Sequence, residues 1–368
     1  MNKFLYKNYA LLGNEKDIPK KNIATIEGVK SILRAPALKY ILFGIALMLI
    51  GYLSGTLKIL PYSWQSALAT TFAYAIAAIG FCLLMGYSGL ASLGTGGFIG
   101  IGTYAVYFVM NGTGLPFFAA VLVAIAISVI TGLIVGFISL RIEGIYLCIL
   151  TLALSEVLRN FYIAIEPKIK LANKDALLFT EPLERNEKLY LVAVCLVIIM
   201  ILTHNLINSP TGRAMLAMKN STAAAQAMGI SLMKYRLLAF VLCTAYAAFA
   251  GTLIMITMLT VDATEANGVY ALLTSLNILA AVIIGGYKSI WGAVFGTFVM
   301  YGMETVIFQN IPFFAKNPVI ITFISGILVI IVVMFYPGGL AQLLLELKGK
   351  IKKLRMKMRE EKYGKDLG

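Results

Sequence analysis

Between residues 37 and 335 the chain is a succession of apolar runs, each about 20 residues long and almost free of charge, joined by short polar loops. Runs at 37–57, 64–85, 115–140, 144–165, 189–207, 237–259, 269–286, 291–309 and 319–335 have the length of a helix crossing the hydrocarbon core of a bilayer. A tenth run, 97–110, is shorter and opens on glycine, the pattern of a broken helix. Hydrophobic residues make up 60% of the chain and charged residues 13%, whereas soluble domains carry about a quarter charged residues. The expected fold is all-α: a polytopic membrane protein with about ten transmembrane or re-entrant helices. Residues 1–36 form a basic leader, 37–340 the membrane domain and 341–368 a basic tail.

The net charge of +14 is spread over flanks and short loops and does not gather on a folded basic domain, so anionic lipid and topology explain it better than nucleic acid. The leader lacks the apolar core and cleavage site of a signal peptide. Leader and tail are both basic, and with ten crossings the loops at Arg141, 213–236 and Lys288 fall on their side. Across the membrane, the longest loop, 166–188, balances five bases against five acids, and Asp262 and Glu265 face the same way. Both termini are therefore expected in the cytoplasm. Cys82, Cys148, Cys195 and Cys243 all lie within apolar runs without metal-like spacing and read as small core hydrophobes.

A polar helical island at 209–230, within a loop extending to 234, separates two spans. With its flank it carries Arg213, Lys219, Lys234 and Arg236 and no acid, the composition of a cytoplasmic segment that docks against a partner. Glu156 and Arg159, three residues apart in a span, share a helix face and can pair. A structural pair near the outer end of the span and a place on a transport path both remain open. Asn277 and Glu304 are further polar residues within spans, and His204 is an interfacial residue. The glycine-dense stretch from Gly89 to Gly102 suits close helix packing and equally a discontinuous helix whose freed backbone groups line a polar cavity.

Gly86-Tyr87-Ser88-Gly89-Leu90-Ala91-Ser92-Leu93-Gly94 with Phe98-Ile99-Gly100-Ile101-Gly102-Thr103-Tyr104, Arg141-Ile142-Glu143-Gly144-Ile145-Tyr146 with Thr151-Leu152-Ala153, the island, Ile284-Gly285-Gly286-Tyr287-Lys288, and Tyr336-Pro337-Gly338-Gly339-Leu340 follow one another in order. Together these blocks resemble LivM-type permeases, the membrane subunits of branched-chain amino acid ABC importers. The resemblance implies a paired homologous permease subunit, two cytoplasmic ATPase subunits, an extracytoplasmic substrate-binding protein and residence in a bacterial or archaeal inner membrane. It assigns ATPase coupling to Gly212, Arg213, Lys219, Ala223, Ala224, Ala225 and Gly229, with Arg213 and Lys219 reaching acidic groups on the partner. Candidates for the translocation path are Gly94, Thr95, Gly96, Gly97, Tyr146, Thr151, Glu156, Arg159 and Asn277.

Three departures from the family pattern stand out. Thr95 replaces a histidine, alanine replaces the usual glutamate before Ala224-Ala225, and residues 170–177 lack a glycine-rich element, which leaves urea, short amides or other amino acids beside leucine, isoleucine and valine as substrates. No phosphate-binding loop of the G-x-x-x-x-G-K-[ST] type is present, so ATP is not bound by that route and no cofactor is expected. An ion-coupled secondary transporter, which would also use broken helices, is the rival class, and the island argues against it.

Overall fold

The computed structural model describes residues 36–57, 62–139, 145–165, 168–170, 185–264 and 268–307, with isolated positions between 320 and 346. Residues 1–35 of the leader, Arg141, Glu265, most of the run 319–335 and nearly all of the tail fall outside the described residues.

The described chain is almost entirely helical. Helices α1 (Pro36–Leu57) and α2 (Tyr62–Leu83) lead to a π-helical turn, Leu84–Ser88, and then to α3 (Thr95–Tyr107), α4 (Phe117–Ser139) and α5 (Ile145–Ile165). Strand β1 (Lys168–Lys170) precedes α6 (Arg185–Asn208), α7 (Pro210–Asn220), α8 (Thr222–Ala227) and α9 (Leu232–Met258). Strand β2 (Thr260–Asp262), α10 (Leu272–Gly285) and α11 (Ile290–Thr297) follow, the last continuing into a π-helical stretch, Phe298–Ile307, that includes Glu304. Among the described residues, five helices are long and apolar enough to cross a membrane: those at 64–88, 117–139, 146–165, 187–208 and 232–258. Shorter apolar helices occupy 38–52, 272–285 and 290–303.

Burial sorts these apolar helices into two kinds. In their most apolar windows α2 and α9 are 83% and 72% buried, whereas α4 and α5 are only 22% and 17% buried. A helix hydrophobic all round must be enclosed by protein or by lipid. Helix α9 is enclosed, packed on α2, α3 and α4, while α4 turns Leu122, Ile130 and Ile134 outward.

Absent side chains make the closest helix contacts. A Cβ on Gly102 would overlap the carbonyl of Ala248, and one on Gly251 the carbonyl of Ile99, so α3 and α9 meet backbone to backbone. Gly285 and Gly292 meet in the same way between α10 and α11, with Gly296 against Ala281. Ser128 of α4 donates to the Thr244 carbonyl of α9 at 2.8 Å.

Two poles emerge, one at each end of α9. At one, the residues following α2, the island and the loop before α11 come together, as the hydrogen bonds from Lys219 to Met85 and Gly86 and from Tyr87 to Lys288 require. At the other, β1 and β2 form an antiparallel pair with Lys168 opposite Asp262. There the Asp262 carboxyl accepts from the Thr264 hydroxyl at 2.6 Å and from its amide at 2.9 Å. The backbone contact of α3 with α9 leads to a direct expectation: Gly251→Ala overpacks it and costs about 1–3 kcal/mol. Gly112→Ala, at a position with open space around it, leaves the thermal midpoint of the detergent-solubilised protein unchanged while Gly251→Ala lowers it.

Candidate functional site

The break between α2 and α3 is the first functional feature. Gly89 ends the π-helical turn at φ 74°, a left-handed conformation that glycine adopts without a Cβ penalty. The chain then runs without helix to Gly94, and α3 begins inside the protein. A helix start leaves amides without intrahelical partners, and in apolar surroundings each needs an acceptor. Four hydroxyls supply them. Leu93 N–H donates to Thr151 Oγ1 at 3.0 Å, Gly94 N–H to Ser92 Oγ at 3.3 Å, Gly96 N–H to Ser275 Oγ at 2.8 Å and Gly97 N–H to Ser155 Oγ at 2.9 Å.

The spacing of Thr151 and Ser155, four residues apart, sets both on one face of α5, while Ser275 comes from α10. Gly94, Gly96 and Gly97 allow the approach, since a Cβ on each would press on Thr151 O, Ala271 O or Ser155 Cα at 2.9–3.1 Å. The hydroxyl of Thr95 is buried in the same place and has no hydrogen-bond partner among the described residues.

On the side of this break towards β1 and β2 lies a cluster of three tyrosines that sequence reasoning did not single out. Tyr162 donates to the Gly97 carbonyl at 2.8 Å and stacks on Tyr104 at 4.6 Å between ring centres. Thr103 donates to Tyr270 Oη at 2.7 Å. The missing signal was long-range: Tyr104 lies on α3, Tyr162 on α5 and Tyr270 in the turn before α10, and nothing in their local sequence pairs them.

The remaining path candidates do not all join this cluster. Glu156 and Arg159 pair at 3.5 Å with side chains 35% and 21% exposed, and Arg159 Nε donates to the Ala263 carbonyl at 3.2 Å. That ties the pair to the loop after β2. Tyr146 stands apart, 72% exposed on the first turn of α5, because five residues of helix turn it about 140° from Thr151. Asn277 is half-buried and lies about 200° around α10 from Ser275.

The island is the second feature. It consists of two short helices, not one. Ser209 caps α7, its hydroxyl accepting from Gly212 N–H at 3.4 Å, with Pro210 in the first turn. Ser221, extended at φ −157°, ends α7 and caps α8, accepting from Ala224 N–H at 3.2 Å. Gly229, at φ 76°, turns the chain out of the island. The Asn220-Ser221-Thr222 sequence held this signal for a split.

Of the seven coupling candidates, Arg213, Ala223, Ala224 and Gly229 are exposed, whereas Gly212 and Ala225 are buried. Arg213 rests on the Asn208 carbonyl at 3.0 Å with its surface open. After α8, Met228 is 84% exposed. A recess of about 530 Å³, lined by Gln226, Gly229, Ile230, Ser231, Met233 and Arg236, opens between α8 and α9.

The outward reach expected of Lys219 gives way to an inward one. Its Nζ donates to the carbonyls of Met85 at 3.1 Å and Gly86 at 2.8 Å and sits 4.5 Å from the ring centre of Tyr287. Those carbonyls end the π-helical turn, where a cation complements the negative end of the helix dipole. Burial pushes the Lys219 pKa below the ordinary lysine value, with Lys288 acting in the same sense and Cys82 opposing.

Around Lys219 the separate glycine-rich blocks converge. A Cβ on Gly86 would overlap the Tyr287 carbonyl, and one on Gly339 the amide of Gly286. Cys82 Sγ and Tyr87 Oη add hydrogen bonds to the carbonyls of Tyr287 and Lys288 at 3.1 Å each.

Comparison with known proteins places this geometry in context. Residues 64–333 match the family described as branched-chain amino acid transport system / permease component. The high-affinity branched-chain amino acid transport system permease protein LivM of Salmonella typhimurium is 32% identical over 248 residues, covering 60% of this chain and 57% of that relative. The Escherichia coli protein of the same description is 29% identical over 310 residues, covering 73% of this chain and 70% of its own length. The match thus spans less than two thirds of the Salmonella relative. Among solved structures, PsaBC from Streptococcus pneumoniae in complex with Fab aligns with 81% of this chain and 99% of that one at 17% identity and a TM-score of 0.40.

The hydroxyl caps generate a paired expectation. Ser155→Ala strips the Gly97 amide of its acceptor and destabilises the protein by about 1–3 kcal/mol. Thr95→Val removes a hydroxyl that has no partner among the described residues, and in the same thermal or detergent-denaturation assay its midpoint stays within error of the wild type or rises.

Proposed function

This chain belongs to the branched-chain amino acid transport system permease component family, and from that premise we propose that it is the membrane-spanning subunit of an ATP-driven importer. Its cargo is a small polar solute, with branched-chain amino acids first, entering the cytoplasm. The subunit is a multi-pass membrane protein of ten crossings with both ends cytoplasmic, residing in a bacterial or archaeal inner membrane. It pairs with a similar permease, two cytoplasmic ATPase subunits and an external binding protein. Residues 37–340 form its membrane domain, between the basic leader 1–36 and the basic tail 341–368.

The observation that carries this reading is the island. Two capped helices hold Arg213, Ala223, Ala224 and Met228 outward beside an open recess, on a surface whose charges are basic. Short side chains let such a surface sit deep in a groove on a partner, and Arg213 supplies a charge for acidic groups there. Closure of the ATPases on ATP then moves the island, and the spans rock between two openings around the hydroxyl-capped start of α3. Gly94, Thr95, Gly96, Gly97, Thr151, Glu156 and Arg159 border that route in this reading. The glycine-free stretch 170–177 is what favours a second cargo, urea or a short amide.

Few polar anchors line the spans, and a zwitterion held in a desolvated site needs partners for both its charges. Recognition therefore rests with the external protein. The isolated permease binds leucine no more tightly than about millimolar, roughly −4 kcal/mol. Calorimetry tests this, and a micromolar site abolished by Glu156→Gln would refute it. Arg213→Glu leaves membrane insertion intact and removes either recovery of the ATPase in a mild-detergent pull-down or substrate-stimulated ATP hydrolysis. Wild-type behaviour in both assays would sink the coupling assignment.

A further inference from the structure

We infer that Lys219 is the latch through which movement of the island reaches the break between α2 and α3, so that its ammonium is needed to convert ATP hydrolysis into transport. The inference rests on the permease reading and adds to it a positioning residue that faces inward, away from any partner.

The first support is connectivity. One side chain joins three segments far apart in sequence: its own helix α7, the carbonyls of Met85 and Gly86 at the end of the π-helical turn, and the ring of Tyr287 before α11. The stem takes part as well, because a Cβ on Gly89 would stand 3.1 Å from Lys219 Cγ.

The second support is the kind of contact made. Elsewhere α7 turns Gly212, Met215 and Met218 inward, and such apolar contacts are non-directional. Two charge-assisted hydrogen bonds to neighbouring carbonyls are directional and stronger. They grip the chain at residues 85 and 86, and it continues from there through Gly89 to the hydroxyl-capped amides of Leu93, Gly94, Gly96 and Gly97. A displacement of α7 is thereby applied to the segment that leads into α3.

The third support is a titration that follows from the same placement. Among the described residues, Cys82 from α2, and Tyr287 and Lys288 from the loop before α11, are the titratable groups that face Lys219. Burial and Lys288 lower its pKa, so rising pH removes its proton earlier than from an exposed lysine. The grip then weakens to that of a neutral amine. An arginine in its place stays charged throughout.

The test uses the complete importer in proteoliposomes with equal pH on both sides, comparing wild type, Lys219→Met and Lys219→Arg. Wild-type uptake of labelled leucine tests the permease reading. Uptake per ATP hydrolysed tests the latch. In Lys219→Met that ratio falls by about fivefold or more, the range of typical coupling energies. Lys219→Arg restores it and keeps it at an alkaline pH where the wild-type ratio declines. A wild-type ratio in Lys219→Met overturns the latch. So does an alkaline decline that is identical in wild type and Lys219→Arg, and that comparison decides the matter even if Lys219→Met does not assemble.

Discussion

A backbone amide left unpaired in an apolar interior is costly, and this chain starts a helix inside one. The break between α2 and α3 exists because Thr151, Ser155, Ser275 and Ser92 supply acceptors to the amides that α3 leaves open. Those side chains come from α5, α10 and the break itself, so the start of α3 depends on α5 and α10 being in place. The glycines at 94, 96 and 97 are what let the hydroxyls come within reach.

The second organising contact lies at the pole that carries the island. Glycine-rich blocks that stand far apart in sequence meet there backbone to backbone at Gly86, Gly286 and Gly339, with Lys219 binding the carbonyls that remain. The island is thus joined to the membrane domain by geometry as well as by chain connection. The outward Arg213 and the inward Lys219 lie on the same helix, α7, so the two are rigidly related. Ser221 makes the join to α8 short, since one residue both ends α7 and caps α8.

Much of this was legible in the chain because the governing signals are local. Apolar runs about as long as a bilayer is thick place most of the helices within a few residues of where they lie. The basic island lies at the pole of the Lys219 contacts, and Lys168 and Asp262 lie at the pole of the β1–β2 pair. Gly229 was readable as the island's turn because it follows an alanine-rich helix. What escaped depends on long-range packing. Lys219 looks in sequence like any basic surface residue, and only the fold brings it to Met85 and Gly86. Tyr146 looks like its neighbour Thr151 until helical rotation separates them. Residue by residue, Ala223 and Ala224 differ from Ala225 only in which side of α8 they occupy.

The backbone contacts of α3 with α9, and of α10 with α11, have a consequence for how such a chain can drift. At Gly102, Gly251, Gly285 and Gly292 every possible replacement is an enlargement, because no smaller residue exists, and each enlargement meets main chain that cannot swing aside. Leu122, Ile130 and Phe137, on the open side of α4, meet a fluid that accepts any shape of similar apolarity. Such a protein has a frozen alphabet inside and a free one outside, and a glycine kept where its neighbours vary marks a helix crossing.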